Sequence, residues 1–335
     1  MCGRVGVGFA RSRDARLGVV EQPDASDEKR GYLFAAGAFG WWAFIVPSYF
    51  KLLSGQEALP LEILAQRVLF GLPLLIGILG ARKKLGEFVR AWTRWATLKV
   101  MIPTTGLIAV NWYFFIYAVD TDRLNHASLG YYINPLFSIL LGAVFLGERP
   151  TRLQKIAIAI AGSAVVLMTI AELDAGQGWP WISLLLPASF GLYGLLRKRV
   201  GVGSVVGITF EMLLLSPVCV VLVIWLGVSE RGIFFQEGTA LWVSVLMLFG
   251  GVVTIVPLIC FTSAVRLLPL SVVGLLQFTA PTGQLLLSAV FFGERFTALK
   301  LGAFALIWVA IGVFVRDLVR THRARQAAVD TEMLE

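Results

Sequence analysis

The segment Leu140-Leu141-Gly142-Ala143-Val144-Phe145-Leu146-Gly147-Glu148-Arg149 returns as Leu286-Leu287-Ser288-Ala289-Val290-Phe291-Phe292-Gly293-Glu294-Arg295, an offset of 146 residues. The offset holds without a gap from Val110 to Thr151. In that window 16 of 42 positions are identical, among them Phe115/Phe261, Ala118/Ala264, Leu124/Leu270 and Pro135/Pro281. A period this long is too large for a solenoid and describes two half-proteins in tandem. The chain is therefore expected to build one fold twice, over 31–172 and 179–316, between a mobile N-terminal tail (1–30) and a C-terminal tail (317–335).

The solvent for that fold is lipid. Apolar residues make up 57% of the chain and charged residues 15%, against about 45–50% and 25% in soluble domains. Mean hydropathy is +0.79. About 20 apolar residues cross a ~30 Å hydrocarbon layer. Runs of that kind predict ten spans at 33–52, 61–81, 99–118, 127–146, 153–171, 180–196, 206–226, 241–262, 268–292 and 298–316. No alternating barrel pattern is present, so each span must satisfy its backbone as a helix. The expected fold class is all-α and polytopic, with ten transmembrane helices.

The net charge of +8 follows topology and does not point to nucleic acid. With the N-terminus inside, the inner segments carry 23 Lys and Arg and the outer segments 5, leaving Arg67 within a span. That asymmetry places both termini in the cytoplasm and the chain in the plasma (inner) membrane. Five helices per half is an odd number, so the second half enters from the opposite side. Inverted repeats of this kind build secondary transporters that hold substrate near the midplane between the halves.

A known family is similar to this chain at many positions. They are Glu62-Ile63-Leu64-Ala65-Gln66-Arg67, Asn111-Trp112, Ala127-Ser128-Leu129-Gly130-Tyr131-Tyr132-Ile133-Asn134-Pro135-Leu136 and Phe145-Leu146-Gly147-Glu148-Arg149 in the first half. In the second half they are Ser189-Phe190-Gly191-Leu192-Tyr193-Gly194 with Arg197-Lys198, Val253-Thr254-Ile255-Val256-Pro257-Leu258, and Leu276-Gln277-Phe278 with Pro281. Together they resemble the RarD branch of the drug/metabolite transporter superfamily, with paired EamA-type domains, over residues 31–318. The resemblance implies transport of a small amphiphilic metabolite or drug. It departs at Gln66, where the branch's pattern has His before the Arg.

Charge within a span costs on the order of 2.5–3.5 kcal/mol, so each case needs a reason. Glu62 and Gln66 share a face of the second helix, whereas Arg67 lies about 140° round from Glu62 and cannot pair with it without strain. Glu62, Gln66, Arg67 and Glu211 are the gating or proton-coupling residues the sequence offers, with Arg67 an anchor for an anionic group or a partner carboxylate. The plainer alternative for both acids is an interfacial carboxylate at a helix N-terminus. A central cavity, mostly aromatic with a few polar groups, is expected from Asn111, Trp112, Tyr131, Tyr132, Asn134, Thr254, Gln277 and Gln284. The alternative is that each merely bonds between helices. Pro135, Pro257 and Pro281 are candidate hinges. Glu148, Arg149, Glu294 and Arg295 read as structural helix ends.

The three cysteines and two histidines have no metal-ligand spacing, and no nucleotide loop or nucleophile elbow occurs. The expectation is no enzyme, no cofactor and no metal. Transport would be facilitated or driven by protons or another coupling ion. The partners are a small-molecule substrate and the bilayer, not nucleic acid, and the oligomeric state stays open. Two rival classes remain, a lipid-acting membrane protein (scramblase or lipid-modifying enzyme) and a membrane receptor or scaffold.

Overall fold

Why each apolar run becomes a helix follows from the absence of any other partner for its backbone in lipid. The computed structural model describes residues 25–54, 56, 58–121, 124–173, 181–234, 236, 238–291 and 298–332, and they contain helix and short turns without a strand. In chain order the helices are α1 (Ala25–Gly40), a π-helical turn (Trp41–Ile45), α2 (Val46–Ser54), α3 (Pro60–Ala81), α4 (Leu85–Thr93) and α5 (Trp95–Asp120). There follow α6 (Leu124–Leu146), α7 (Arg152–Leu173), α8 (Trp181–Arg199), α9 (Ser204–Val228), α10 (Leu241–Leu267), α11 (Leu270–Gln277), α12 (Thr279–Phe291) and α13 (Ala298–Glu332).

Among the described residues seven stretches are long and apolar enough to cross a membrane, Ser26–Leu53, Pro60–Ala81, Leu129–Leu146, Arg152–Ile170, Ser204–Val228, Leu241–Leu267 and Leu301–Thr321. The chain is a multi-pass membrane protein. Exposed apolar side chains such as Val218, Val221 and Ile224 on α9 and Leu241 on α10 form the outer surface, which only lipid covers at low cost. Short α4 was not expected; it lays Trp92 on Phe210 of α9, with ring centroids 4.6 Å apart. The tail assigned to residues 1–30 begins its helix early, because residues 25–30 open α1.

Two helices break, each beside a proline. Pro47 has no N–H to give the Ala43 carbonyl, and Val46 instead bonds back to Trp41, five residues away, closing a π turn. Pro281 has none to give Gln277, and α11 and α12 separate at Phe278. Pro135 and Pro257 lie inside continuous α6 and α10. Of the three candidate hinges, only Pro281 stands at an interruption.

The halves are interleaved around a shared core. The most extensive packing joins α6 to α8 and α11, α7 to α13, α3 to α9 and α10, α1 to α10, and α5 to α8. Every one of those pairs takes one helix from each half. The α3–α10 crossing is tight, since a Cβ on Gly251 would stand 2.7 Å from the Gly71 nitrogen; such small-residue contacts are how helices associate in lipid. An aromatic cluster of Phe39, Trp42, Phe190, Tyr193 and Phe261 joins α1, the π turn, α8 and α10, with Phe190 and Phe261 4.8 Å apart.

Candidate functional site

Arg67 sits seven residues into α3, about 10 Å along the helix axis from Pro60. Its Nε donates to Thr254 Oγ1 on α10, and Thr254 in turn donates to the Gly250 carbonyl at 2.9 Å. The hydroxyl thus fixes the guanidinium from behind. Phe50 of α2 lies 5.3 Å from the guanidinium carbon, a cation–π contact. The phenols of Tyr49 and Tyr131 are its electrostatic neighbours. Among the described residues no carboxylate lies within 4.0 Å of Arg67.

The walls of this site come from α2, α3, α6 and α10. Tyr131 exposes 39% of its surface between buried neighbours Gly130 and Tyr132, and its ring stands 5.9 Å from Phe115 on α5. Asn134, one turn further along α6, has a buried Oδ1 without a hydrogen bond. So do the Tyr49 hydroxyl and the Gln66 Nε2, on residues that are 3% and 1% exposed. Buried polar atoms are nearly always paired. Three unpaired ones lie on α2, α3 and α6, the helices that carry Arg67 and its neighbours.

Other residues expected in a cavity are spent on helix contacts. Asn111 donates to the Leu186 carbonyl at 2.9 Å and to Ser189 Oγ at 3.0 Å, tying α5 to α8. Gln284 donates to the Trp42 carbonyl at 2.9 Å, within the π turn. Tyr132 is buried edge-on against Phe304 of α13, and Trp112 packs half-buried against the core. Gln277 meets Ser138 at 3.5 Å and leaves its Nε2 without a partner.

The acids are engaged as well. Both Glu62 oxygens accept backbone N–H groups, of Ile233 and Phe234, each at 3.0 Å. Glu148 accepts from the Leu270 N–H at 2.6 Å, the Ser271 N–H at 2.8 Å and the Ser271 hydroxyl at 2.7 Å. The N-cap of α11 is Pro269, which offers no side-chain acceptor, so a carboxylate from the other half caps the helix. Lys198 closes the same turn from the other side by donating to the Val265 and Leu268 carbonyls. Arg149 is exposed. Glu294 and Arg295 lie outside the described residues.

Arg197, one of the basic residues that the charge pattern counts in the inner segments, is buried instead. Arg197 is 0% exposed. Its Nε lies 3.8 Å from Glu211 Oε1, and its other nitrogens donate to the Ser204 carbonyl at 3.2 Å and to Met101 Sδ at 3.5 Å. Tyr193 donates to the second Glu211 oxygen at 3.1 Å. The guanidinium fills the space where a side chain at residue 207 would be, which makes Gly207 its floor. Its neighbours Lys198 and Arg199 hid it in the sequence, because a basic triplet at a helix end resembles a topology signal.

Known proteins are similar to this chain. The EamA-like transporter family matches residues 29–170. The protein RarD of Salmonella typhimurium is 37% identical over 304 residues, 90% of this chain and 100% of the relative. This chain belongs to the RarD branch of the drug/metabolite transporter superfamily. An uncharacterized transporter of Vibrio cholerae is 36% identical over 307 residues, covering 91% of this chain and 98% of that one. The chloramphenicol-sensitive protein RarD of Pseudomonas aeruginosa is 32% identical over 284 residues, 83% and 91% of the two chains. One solved crystal structure aligns with a TM-score of 0.63 at 18% identity, over 85% of this chain and 97% of its own, a likeness of fold alone.

Within this RarD-branch chain the residues that carried the resemblance fall into two groups. Glu62, Asn111, Glu148, Arg197 and Lys198 hold helices and turns together. Arg67, Tyr131 and Asn134 keep bonding capacity that the protein itself does not use.

Proposed function

We propose that this membrane transporter moves a small amphiphilic metabolite or drug across the plasma membrane by alternating access. In this reading ten transmembrane helices form two inverted five-helix repeats, with both termini cytoplasmic and the substrate between the repeats. The carrying observation is the packing pattern. Pair each first-half helix with its repeat counterpart: α1–α2 with α8, α3 with α9, α5 with α10, α6 with α11–α12, α7 with α13. Exchanging the two sets turns α1–α10 packing into α8–α5, α3–α10 into α9–α5, and α6–α8 into α11–α12 against α1 and the π turn, all of which occur. The α3–α9, α6–α11 and α7–α13 pairs exchange with themselves. Two halves whose contacting helix pairs map onto one another in this way can trade conformations, which is what alternating access requires.

For ion coupling the reading favours Glu211 over Glu62. Glu62 has both oxygens on backbone amides, whereas Glu211 Oε1 has a charge partner at 3.8 Å and no hydrogen bond. The test is solute counterflow by purified protein in proteoliposomes. Chloramphenicol, suggested by the Pseudomonas relative's name, is the first probe, followed by hits from a thermal-shift screen. Exchange that survives in Glu211→Gln with the same response to an imposed pH gradient removes the coupling role. Lipid turnover without solute flux rejects transport itself.

A further inference from the structure

We propose that Arg67 is the anion-binding centre of the transport site and that the solute it selects is a small carboxylate carrying an aromatic body. The inference rests on the transporter reading and names the chemistry of its substrate. Arg67 is a cation within an apolar span, and no protein carboxylate neutralises it among the described residues. The two acids nearest in kind are committed elsewhere, Glu62 to backbone amides and Glu211 to Arg197 and Tyr193. A charge held at this depth without a counter-ion is costly unless a ligand brings one.

The geometry shows where that ligand would bind. A guanidinium has five N–H donors, and Thr254 takes the one on Nε. Four remain on the terminal nitrogens, in the fork that matches a carboxylate. Thr254, anchored to Gly250, prevents the fork from swinging away. At residue 250 a Cβ would press on the Arg67 Cγ at 2.8 Å and on the Tyr49 hydroxyl, so a glycine lets α10 come this close. Tyr49 is 3% exposed with its hydroxyl unpaired, bordering the same Cβ position of residue 250 as the Arg67 Cγ, and supplies a further donor to an anion. Phe50 covers the cation, and the exposed ring of Tyr131 offers a flat surface for an aromatic body.

The decisive comparison uses two probes of nearly equal shape, indole-3-acetate and the neutral indole-3-acetamide. Binding is measured by titration calorimetry on purified protein in lipid nanodiscs, in a dilute zwitterionic buffer without added chloride or carboxylate. The wild type should prefer the acid by about tenfold or more. Arg67→Gln should bring the ratio near one, Arg67→Lys should keep part of it, and Tyr49→Phe should lower it a few-fold while retaining the ring. Unfolding midpoints of all variants confirm that they fold. Equal affinity for acid and amide, binding of neither, or an acid preference that survives in Arg67→Gln would overturn the proposal. Counterflow separates the two readings. If chloramphenicol exchanges while the acid preference is absent, the transporter stands and the anion site falls. If the acid preference is present and no solute exchanges, the site stands and transport falls.

Discussion

Arg67 and Arg197 are both arginines in apolar helices, and the protein treats them in opposite ways. Arg197 has a carboxylate at 3.8 Å, a backbone carbonyl, a thioether and a glycine floor. Arg67 has a hydroxyl, a phenylalanine ring and two phenol neighbours. The first charge is neutralised within the fold, at the join of α8, α9 and α5. The second is oriented without being neutralised. A buried charge with a counter-charge beside it is neutralised inside the protein, and removing one partner strands the other. An oriented cation without a counter-ion is free to take one from a solute.

That contrast is best broken at Arg197 first. Arg197→Met should lower unfolding stability by roughly 3–5 kcal/mol because Glu211 is left buried without a counter-charge. The double variant Arg197→Met with Glu211→Gln should recover most of the loss, since neither charge then remains. Thermal unfolding in nanodiscs reads both, and an Arg197→Met protein as stable as wild type would erase the distinction between the two arginines. Glu62→Ala should cost about 1.5–3 kcal/mol, the range for charged hydrogen bonds, because two backbone N–H groups lose their acceptor. Glu148→Ala should cost about 1–2 kcal/mol, the usual loss for a helix cap, with hydrogen exchange rising first at Leu270 and Ser271. Arg67→Gln should cost no more than about 1 kcal/mol, since one interhelical hydrogen bond and one cation–π contact are lost. Its effect should appear in solute selectivity instead. A large stability loss in Arg67→Gln would make Arg67 a second structural arginine.

Glu62 and Glu148 sharpen the same lesson. Each carboxylate reaches across to the other half and satisfies N–H groups that no local residue serves. In the sequence Glu62 looked like a gate and Glu148 like a marker of its own helix end. The partners lie 171 and 122 residues away, so no local pattern could have named them. The run Val253-Thr254 was legible as polar within apolar, yet its role as a brace behind Arg67 depends on the α3–α10 crossing. Tyr49 and Phe50 passed unnoticed because aromatic residues near the end of a span are common there for interfacial reasons. Arg197 was hidden by its neighbours. The duplicated Gly-Glu-Arg segment, by contrast, was read as a helix-end device, and its first copy stands at the end of α6.

The sequence by itself determined that the chain is helical, apolar and twice repeated, because lipid leaves the backbone no other partner and because identity at a fixed offset needs no structure to be seen. Family membership followed from the same residues. Only the tertiary structure decided which polar groups are used up and which are left open. A buried charge is structural or available according to what lies within about 4 Å of it, and some of those neighbours, Thr254 for Arg67 and Met101 for Arg197, come from the opposite half of the chain.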